Sequence, residues 1–325
     1  MDWTSVQLRS LVELRRLGTV TAVAGALGYT PGAISQQLAA LERSAGVPLL
    51  RRVGRRVELT DAGLAFAGHA QQILDIEAAA TAALERSAGR VAGELQMAVF
   101  ATAAAEILPV LLARLARRYP DLVVRSRELV VDDVYDTVAS GAVDLAVGLE
   151  YPDVPIRRDP SLRVMLLHRE RFFLAAPAGT LPPGPVSLAR TGPPLGWILP
   201  PEDTHYGLAI RTVCRRAGIE PELRHEVVDT AVSLALVEAG IGLSTVTDLM
   251  LRLRPSRFDV RPLVEPFERH IVAVIRASAE HRPNVAAVVR VLRELQLEPV
   301  AGQGGQEIGG VDQVFQVGDS GAQPG

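Results

Sequence analysis

A chain of 325 residues is too long for one ordinary domain, and its 48% of hydrophobic residues can build full cores, which excludes a largely disordered protein. No run approaches the roughly 18 apolar residues of a membrane span, and MDWTSVQLRS lacks the plan of a secretory signal, so a cytoplasmic protein is expected. The net charge of −3 hides an asymmetry: residues 1–60 hold eight arginines against four acids, so a head at +4 leaves −7 for the remainder.

The chain carries no lysine, so its fixed positive charge comes from arginine, whose planar fork suits phosphate. The single cysteine, Cys214, excludes an internal disulfide and a cysteine-only metal site. It is expected as a small core hydrophobe.

Residues 5–17 set Leu8, Leu11 and Val12 at helical spacing, with Leu14 and Leu17 widening the stripe, and Gly18 ends the helix. Thr19 or Thr21 can cap a short second helix that turns Val23, Ala24 and Leu27 inward. Gly28-Tyr29-Thr30 makes a tight connection, and Pro31 falls in the first turn of a third helix, where its missing N–H costs nothing. On that helix Ile34, Leu38 and Leu41 form a core stripe. Gly32, Ser35, Gln36 and Ala39 form another face, small and free of acids, that can lie against a DNA groove. Gly46-Val47-Pro48 ends the helix. Leu49-Leu50 and Val57-Leu59 then read as short strands around Arg51-Arg52-Val53-Gly54-Arg55-Arg56, a β-hairpin wing.

Thr60 can cap a fourth helix running to about Ser87, with Asp61 favourable beside its positive end. Phe66, Ala70, Ile73, Ala80 and Leu84 make a long apolar seam that Glu77 interrupts. The seam suits either a second copy of the helix, as in a dimer, or packing on its own domain. A hinge is expected at Gly89–Gly93.

Strand and helix then alternate: strand 95–100, helix 103–118, strand 122–127, helix 132–140 and strand 143–148. This is a βαβαβ unit, hence a parallel sheet with right-handed crossovers. A second set follows, with strands at 162–167, 171–176, 197–199, 223–228 and 242–246 and helices at 205–217 and 230–239. Strand 271–275 and helix 283–297 can return to the first lobe. Residues 301–325 are Gly- and Gln-rich without periodicity and read as a disordered tail.

Residues 18–38, GTVTAVAGALGYTPGAISQQL, closely resemble the helix-turn-helix of LysR-type regulators. LERSAGVPLLRRVGRRVELTDAG, residues 41–63, resembles the family's wing and linker start. ILPVLLARLARRYPDLVV, SGAVDLAVG and VEAGIGLS resemble pieces of its effector-binding domain, so the likeness runs over about residues 1–297. The resemblance implies an N-terminal winged helix-turn-helix, a long linker helix, and a C-terminal α/β, two-lobed, periplasmic-binding-protein-like domain. It implies double-stranded promoter DNA, a small-molecule effector and a second copy of the chain, in a homodimer or homotetramer, as partners. The boundaries expected are 1–60 for DNA binding, 61–88 for the linker, and 93–300 for the effector domain. Within the last, lobe I covers about 93–160 and 265–298 and lobe II about 161–264. Most family members carry Gln near Pro31 and often Arg near Gln36; both differ here, so the base contacts are expected to be this chain's own.

DNA binding needs charge for affinity and edge-reading groups for specificity. Arg52, Arg55 and Arg56 on the wing can pair phosphates or enter the minor groove. Gln36 can pair an adenine edge through two hydrogen bonds, Ser35 can contact base or backbone, and Pro31 and Gly32 offer shape. Thr21 and Thr30 stand near helix starts, where they can bind phosphate or simply cap.

A two-lobed sensor binds its ligand between lobes, at the carboxyl ends of strands. Ala101 and Thr102 follow the first strand, and Thr102 matches a Ser/Thr that touches ligand in the family. Val131 opens the second helix in the equivalent place. Pro200, Thr204, His205 and Tyr206 open the second lobe's helix, and Asp229 and Thr230 another. Each contacts ligand or serves as a cap or hinge. Val131 and Trp197 lean toward an apolar-bodied ligand; an amino acid, an aromatic acid or a purine all fit. His205 with Asp203 and Glu202 invites a metal or catalytic reading, but no H-E-x-x-H or G-x-S-x-G pattern accompanies it, so neither enzyme nor cofactor is expected. Residues 93–297 alone would also suit a solute-binding transport protein; the attached helix-turn-helix argues otherwise.

Overall fold

The computed structural model describes residues 2–53, 56–87, 91–157, 159–190, 195–253 and 257–295. Arg55, part of the expected hinge and the tail 301–325 lie outside the described residues.

Local chemistry sets the N-terminal helices. Helix α1 (Ser5–Leu17) opens at Thr4, whose hydroxyl accepts from the Gln7 N–H while the Gln7 side chain accepts from the Thr4 N–H. Gly18 closes it at φ 72°, a left-handed conformation that glycine adopts without Cβ strain. Thr19 caps α2 (Val20–Leu27), which leaves Thr21 inside the helix. Thr30 caps α3 (Pro31–Ala45). Leu11 of α1, Val23 of α2 and Ile34, Leu38 and Leu41 of α3 bury one core. Each such side chain contributes about 1.5–3 kcal/mol by leaving water. Strands β1 (Leu50–Val53) and β2 (Arg56–Leu59) pair antiparallel, Leu50 opposite Leu59, as the wing.

Helix α4 (Asp61–Ser87) starts at Thr60, whose hydroxyl accepts from the Gly63 N–H at 3.0 Å. The expected seam divides between its two alternatives. Ala70 is buried in the N-terminal core and Phe66 meets the Trp3 ring edge-on at 5.2 Å, so these face their own domain. Ile73, Ile76 and Leu84 stand 38%, 64% and 76% exposed and remain available to another chain.

The C-terminal part has three sheets among its described residues. In chain order it contains β3 (Gly93–Val99), α5 (Ala101–Glu106), α6 (Leu108–Arg118), β4 (Leu122–Glu128), α7 (Val134–Ala139), β5 (Leu145–Glu150) and β6 (Leu162–Arg171). Then come β7 (Phe173–Ala176), β8 (Trp197–Leu199), α8 (His205–Arg216), β9 (Leu223–Glu226), α9 (Thr230–Glu238), β10 (Ser244–Val246), α10 (Asp248–Leu251) and β11 (Asp259–Pro262). Last are β12 (Glu268–Arg276) and α11 (Pro283–Glu294). Lobe I carries one five-stranded sheet ordered β4-β3-β5-β12-β6. Its first three strands are parallel, as the βαβαβ pattern requires, β12 pairs antiparallel to β5, and β6 pairs antiparallel to β12. Lobe II holds β10-β7-β11 and β8-β9, joined by a bridge from Trp197 to Leu243.

Three expectations are corrected. The strand at 162–167, assigned to lobe II, runs to Arg171 and pairs along the whole of β12 in lobe I. A contiguous α/β reading cannot see that pairing, because β12 lies about a hundred residues later. The helix expected over 103–118 divides at Ile107 into α5 and α6, with Pro109 in the first turn of α6. Trp197 is 3% exposed in the lobe II core rather than in the cleft.

Candidate nucleic-acid interface and ligand cleft

The outer face of α3 presents Pro31, Gly32, Ser35 and Gln36 to solvent. The Ser35 hydroxyl donates back to the Pro31 carbonyl at 2.9 Å, leaving its oxygen as an acceptor. The Thr30 oxygen accepts from the Ala33 N–H at 3.2 Å and Thr21 stands exposed within α2. One carboxylate ties the wing to the helix: Glu42 Oε1 accepts from the Leu49 and Leu50 N–H groups at 2.8 and 2.9 Å. On the wing, Arg51 pairs with Glu58 at 3.1 Å. Arg52 is exposed with no partner among the described residues. Arg55 and the side chain of Arg56 lie outside the described residues.

Between the lobes lies a cavity of about 260 Å³. Ala101, Thr102, Val131, Pro200, Thr204, Tyr206, Asp229 and Thr230 all line it. These eight come from four separate chain segments, each at the carboxyl end of a strand or the start of a helix. The ninth expected residue, His205, does not line it. Its Nδ1 instead contacts the carboxylate of Asp132, a lining residue, across from lobe I to lobe II.

Backbone approach sets the lobe II wall. A Cβ at Gly207 would lie 1.8 Å from the Pro201 carbonyl oxygen, so only glycine lets α8 start this close to the Pro200–Pro201 loop. Buried Arg211 donates to the carbonyls of Pro200 and Gly207 at 2.9 and 3.0 Å and fixes the same junction. The Thr204 hydroxyl accepts from the Gly207 N–H and so caps α8.

The two chain crossings between lobes meet under the cavity. Phe172 and Phe267 stack at 4.0 Å, and Phe172 stacks in turn on Tyr206 at 5.4 Å. Tyr151 of lobe I lies parallel to Tyr206 of lobe II at 5.7 Å. The Tyr206 hydroxyl bonds to the Thr245 carbonyl at 2.8 Å, and burial pushes its pKa up to about 12. Burial likewise raises that of Tyr151, so both rings stay neutral.

Local patterning did not reveal Arg269. It is 1% exposed, lines the cavity, and pairs with Glu170 at 2.7 Å. It also donates to Thr247 and lies 5.8 Å over both Phe100 and Phe172. The available signal was the apolar run IVAVI, residues 271–275, flanked by Arg269 and Arg276, charges near the two ends of a buried strand. Phe100, Tyr151 and Met250 complete the apolar wall. Thr102 is 3% exposed, and its hydroxyl has no hydrogen-bond partner among the described residues. No described helix is long and apolar enough to cross a membrane.

Comparison with known proteins gives two family matches. Residues 88–296 match the LysR substrate binding domain, and residues 6–64 match the bacterial regulatory helix-turn-helix protein, lysR family. The chain is 29% identical over 267 residues to the HTH-type transcriptional regulator TfdS of Cupriavidus pinatubonensis, covering 81% of this chain and 86% of that one. It is 30% identical over 249 residues to the "Probable hydrogen peroxide-inducible genes activator" of Mycobacterium leprae, covering 74% and 76%. Among solved structures, full-length CbnR complexed with its target DNA superposes with a TM-score of 0.52 at 26% identity, over 90% of this chain and 99% of that chain. A full-length OxyR variant from Pseudomonas aeruginosa superposes with a TM-score of 0.69 at 21% identity, over 90% and 94%, a likeness of fold.

Proposed function

Since this chain belongs to the LysR family of transcriptional regulators, which join a DNA-binding helix-turn-helix to an effector-binding domain, we propose that α3 and the wing read promoter DNA while the interlobe cavity takes the effector. Gln36 is the base-reading residue, with Ser35, Pro31 and Gly32 shaping the contact. Arg52, Arg55 and Arg56 hold phosphate or enter the minor groove, and Thr21 and Thr30 flank the same edge. Thr102, Val131, Pro200, Tyr206 and Thr230 face the effector. Residues 1–60 form the DNA-binding unit and 61–88 the linker. Lobe I then takes 93–171 and 268–295, and lobe II 172–267. Two copies join through the exposed Ile73, Ile76 and Leu84 of α4, and the protein works in the cytoplasm, on the nucleoid when DNA-bound.

The observation that carries the cleft assignment is the convergence of eight dispersed positions on one cavity. CbnR bound to its target DNA supports the use of α3. Peroxide sensing through Cys214, the chain's one thiol, is disfavoured, because Cys214 is buried in α8 and burial pushes its pKa up to about 12. A lone, protonated, enclosed thiol is a poor peroxide nucleophile, so a bound small molecule is the better signal.

A pair of variants tests the division of labour. Gln36→Ala is expected to lose sequence preference at one base pair per half-site while responding normally to effector. Thr102→Val is expected to keep DNA affinity and lose the response. A footprint in which Thr102→Val alone abolishes DNA binding would overturn the assignment.

A further inference from the structure

The charges around the cavity are unequal, and they select among ligands. Arg269 is the one arginine in the wall, and its charge is matched at 2.7 Å by Glu170, both partners being buried. That pair presents no net charge to a ligand. Glu128 and Asp229 line the same cavity, and neither has a cationic partner among the described residues. Asp132 is a third carboxylate in the wall, its charge shared with His205.

Two of the helix starts at the cavity are closed, while that of α5 at Ala101 carries no side-chain cap. Asp229 accepts from the Ala231 and Val232 N–H groups at 2.7 and 3.0 Å, so a carboxylate already occupies the positive end of α9. Thr204 closes α8 in the same way. An incoming carboxylate would meet the acids Glu128 and Asp229, and donors already occupied at α8 and α9. A cation would meet compensating charge.

An independent sign of a ligand is the Thr102 hydroxyl, enclosed in the wall without a partner among the described residues. A hydroxyl oxygen accepts from an ammonium N–H as readily as it donates elsewhere. Phe100, Leu149 and Met250 supply a lipophilic wall, and about 260 Å³ suits one small ring.

We infer that the effector is an organic cation, an amine carried on a small apolar body, rather than a carboxylic acid. This rests on the cavity being the effector site. The amine sits toward Glu128 and Asp229 with Thr102 as an acceptor, and its body lies on the Phe100 and Met250 side.

Calorimetric titration of the full-length protein at neutral pH tests this with three matched probes: 2-phenylethylamine, 2-phenylethanol and 3-phenylpropionate. The amine is expected to bind at least about tenfold tighter than the acid, with the alcohol between. Asp229→Asn keeps the α9 cap, because asparagine caps well, and removes only the charge. It should weaken the amine roughly five- to tenfold and leave the alcohol unchanged. Thr102→Val should weaken the amine and the alcohol. An acid that binds tighter than the amine and is weakened by Thr102→Val overturns the charge inference and leaves the cleft reading intact. No amine binding up to about 10 mM also overturns it. Binding indifferent to both substitutions overturns the cleft reading itself.

Discussion

Thr102 is where stability and binding pull apart. A buried hydroxyl without a partner costs on the order of 1–3 kcal/mol, so the ligand-free protein carries a local penalty there. Thr102→Val keeps the shape and removes that cost, and should raise the melting temperature of the ligand-free protein by about 2–4 °C per kcal/mol gained. A fall in melting temperature would mean that the hydroxyl is bonded after all. On the DNA side, residues divide by what they touch. Arg52→Ala should weaken binding to all sequences alike and flatten the salt dependence by about 0.9 in slope for the lost phosphate. Gln36→Ala should instead lower discrimination at one position by roughly 1–3 kcal/mol. Competition binding across salt and site variants separates the two. Much at this scale was legible in sequence, because caps are local chemistry: Thr30, Thr60 and Thr204 precede their helices and cap them. Arg269 was not, because its partner Glu170 lies ninety-nine residues away and only the folded sheet joins them.

Elements were legible where a residue punctuates them and obscure where distant pairing decides. Gly18, Gly28 and Gly46 each close a helix at positive φ, and so α1, α2 and α3 could be bounded from sequence. β6 could not be assigned to its lobe, since an alternating strand carries no record of which sheet it joins. Contacts between elements were equally hidden. Glu42 satisfies two N–H groups at the root of the wing, and Gly63 lets α4 pass close to β1. A Cβ at Gly63 would lie 2.1 Å from the Leu49 carbonyl oxygen, a backbone atom that cannot swing aside. Gly63→Ala should therefore cost about 1–3 kcal/mol. Because Leu49 leads into the wing, DNA affinity should fall with it. Urea unfolding and DNA titration of the same sample would check both, and an unchanged midpoint would show that α4 has room.

At the scale of the whole molecule, one strand reaches from the cleft to the linker helix. β12 begins beside Arg269 in the cavity wall and ends at Arg276, about 24 Å of extended chain away. Arg276 pairs with Asp75 of α4 at 2.7 Å, both partners 5% or less exposed, and also donates to the Val138 and Val143 carbonyls. Ser278 bonds the same carboxylate, and Gln71 of α4 fills the space that a side chain at Gly141 would need. The effector domain is thus fastened to the linker helix through a buried charge. Removing one partner of such a pair typically costs about 3–5 kcal/mol. Asp75→Ala should release the effector domain from α4, leaving the helix-turn-helix able to bind DNA while effector no longer alters that binding. Retained response in Asp75→Ala would place the coupling elsewhere. A dimeric, sequence-reading regulator should select its own sites when genomic DNA fragments are captured on the purified protein at near-physiological salt and sequenced. A motif of two half-sites should be recovered, with preference relaxed at one base pair per half-site when Gln36→Ala replaces the wild type. No enrichment over random fragments, with cell metabolites present as well as absent, would contradict a sequence-reading regulator.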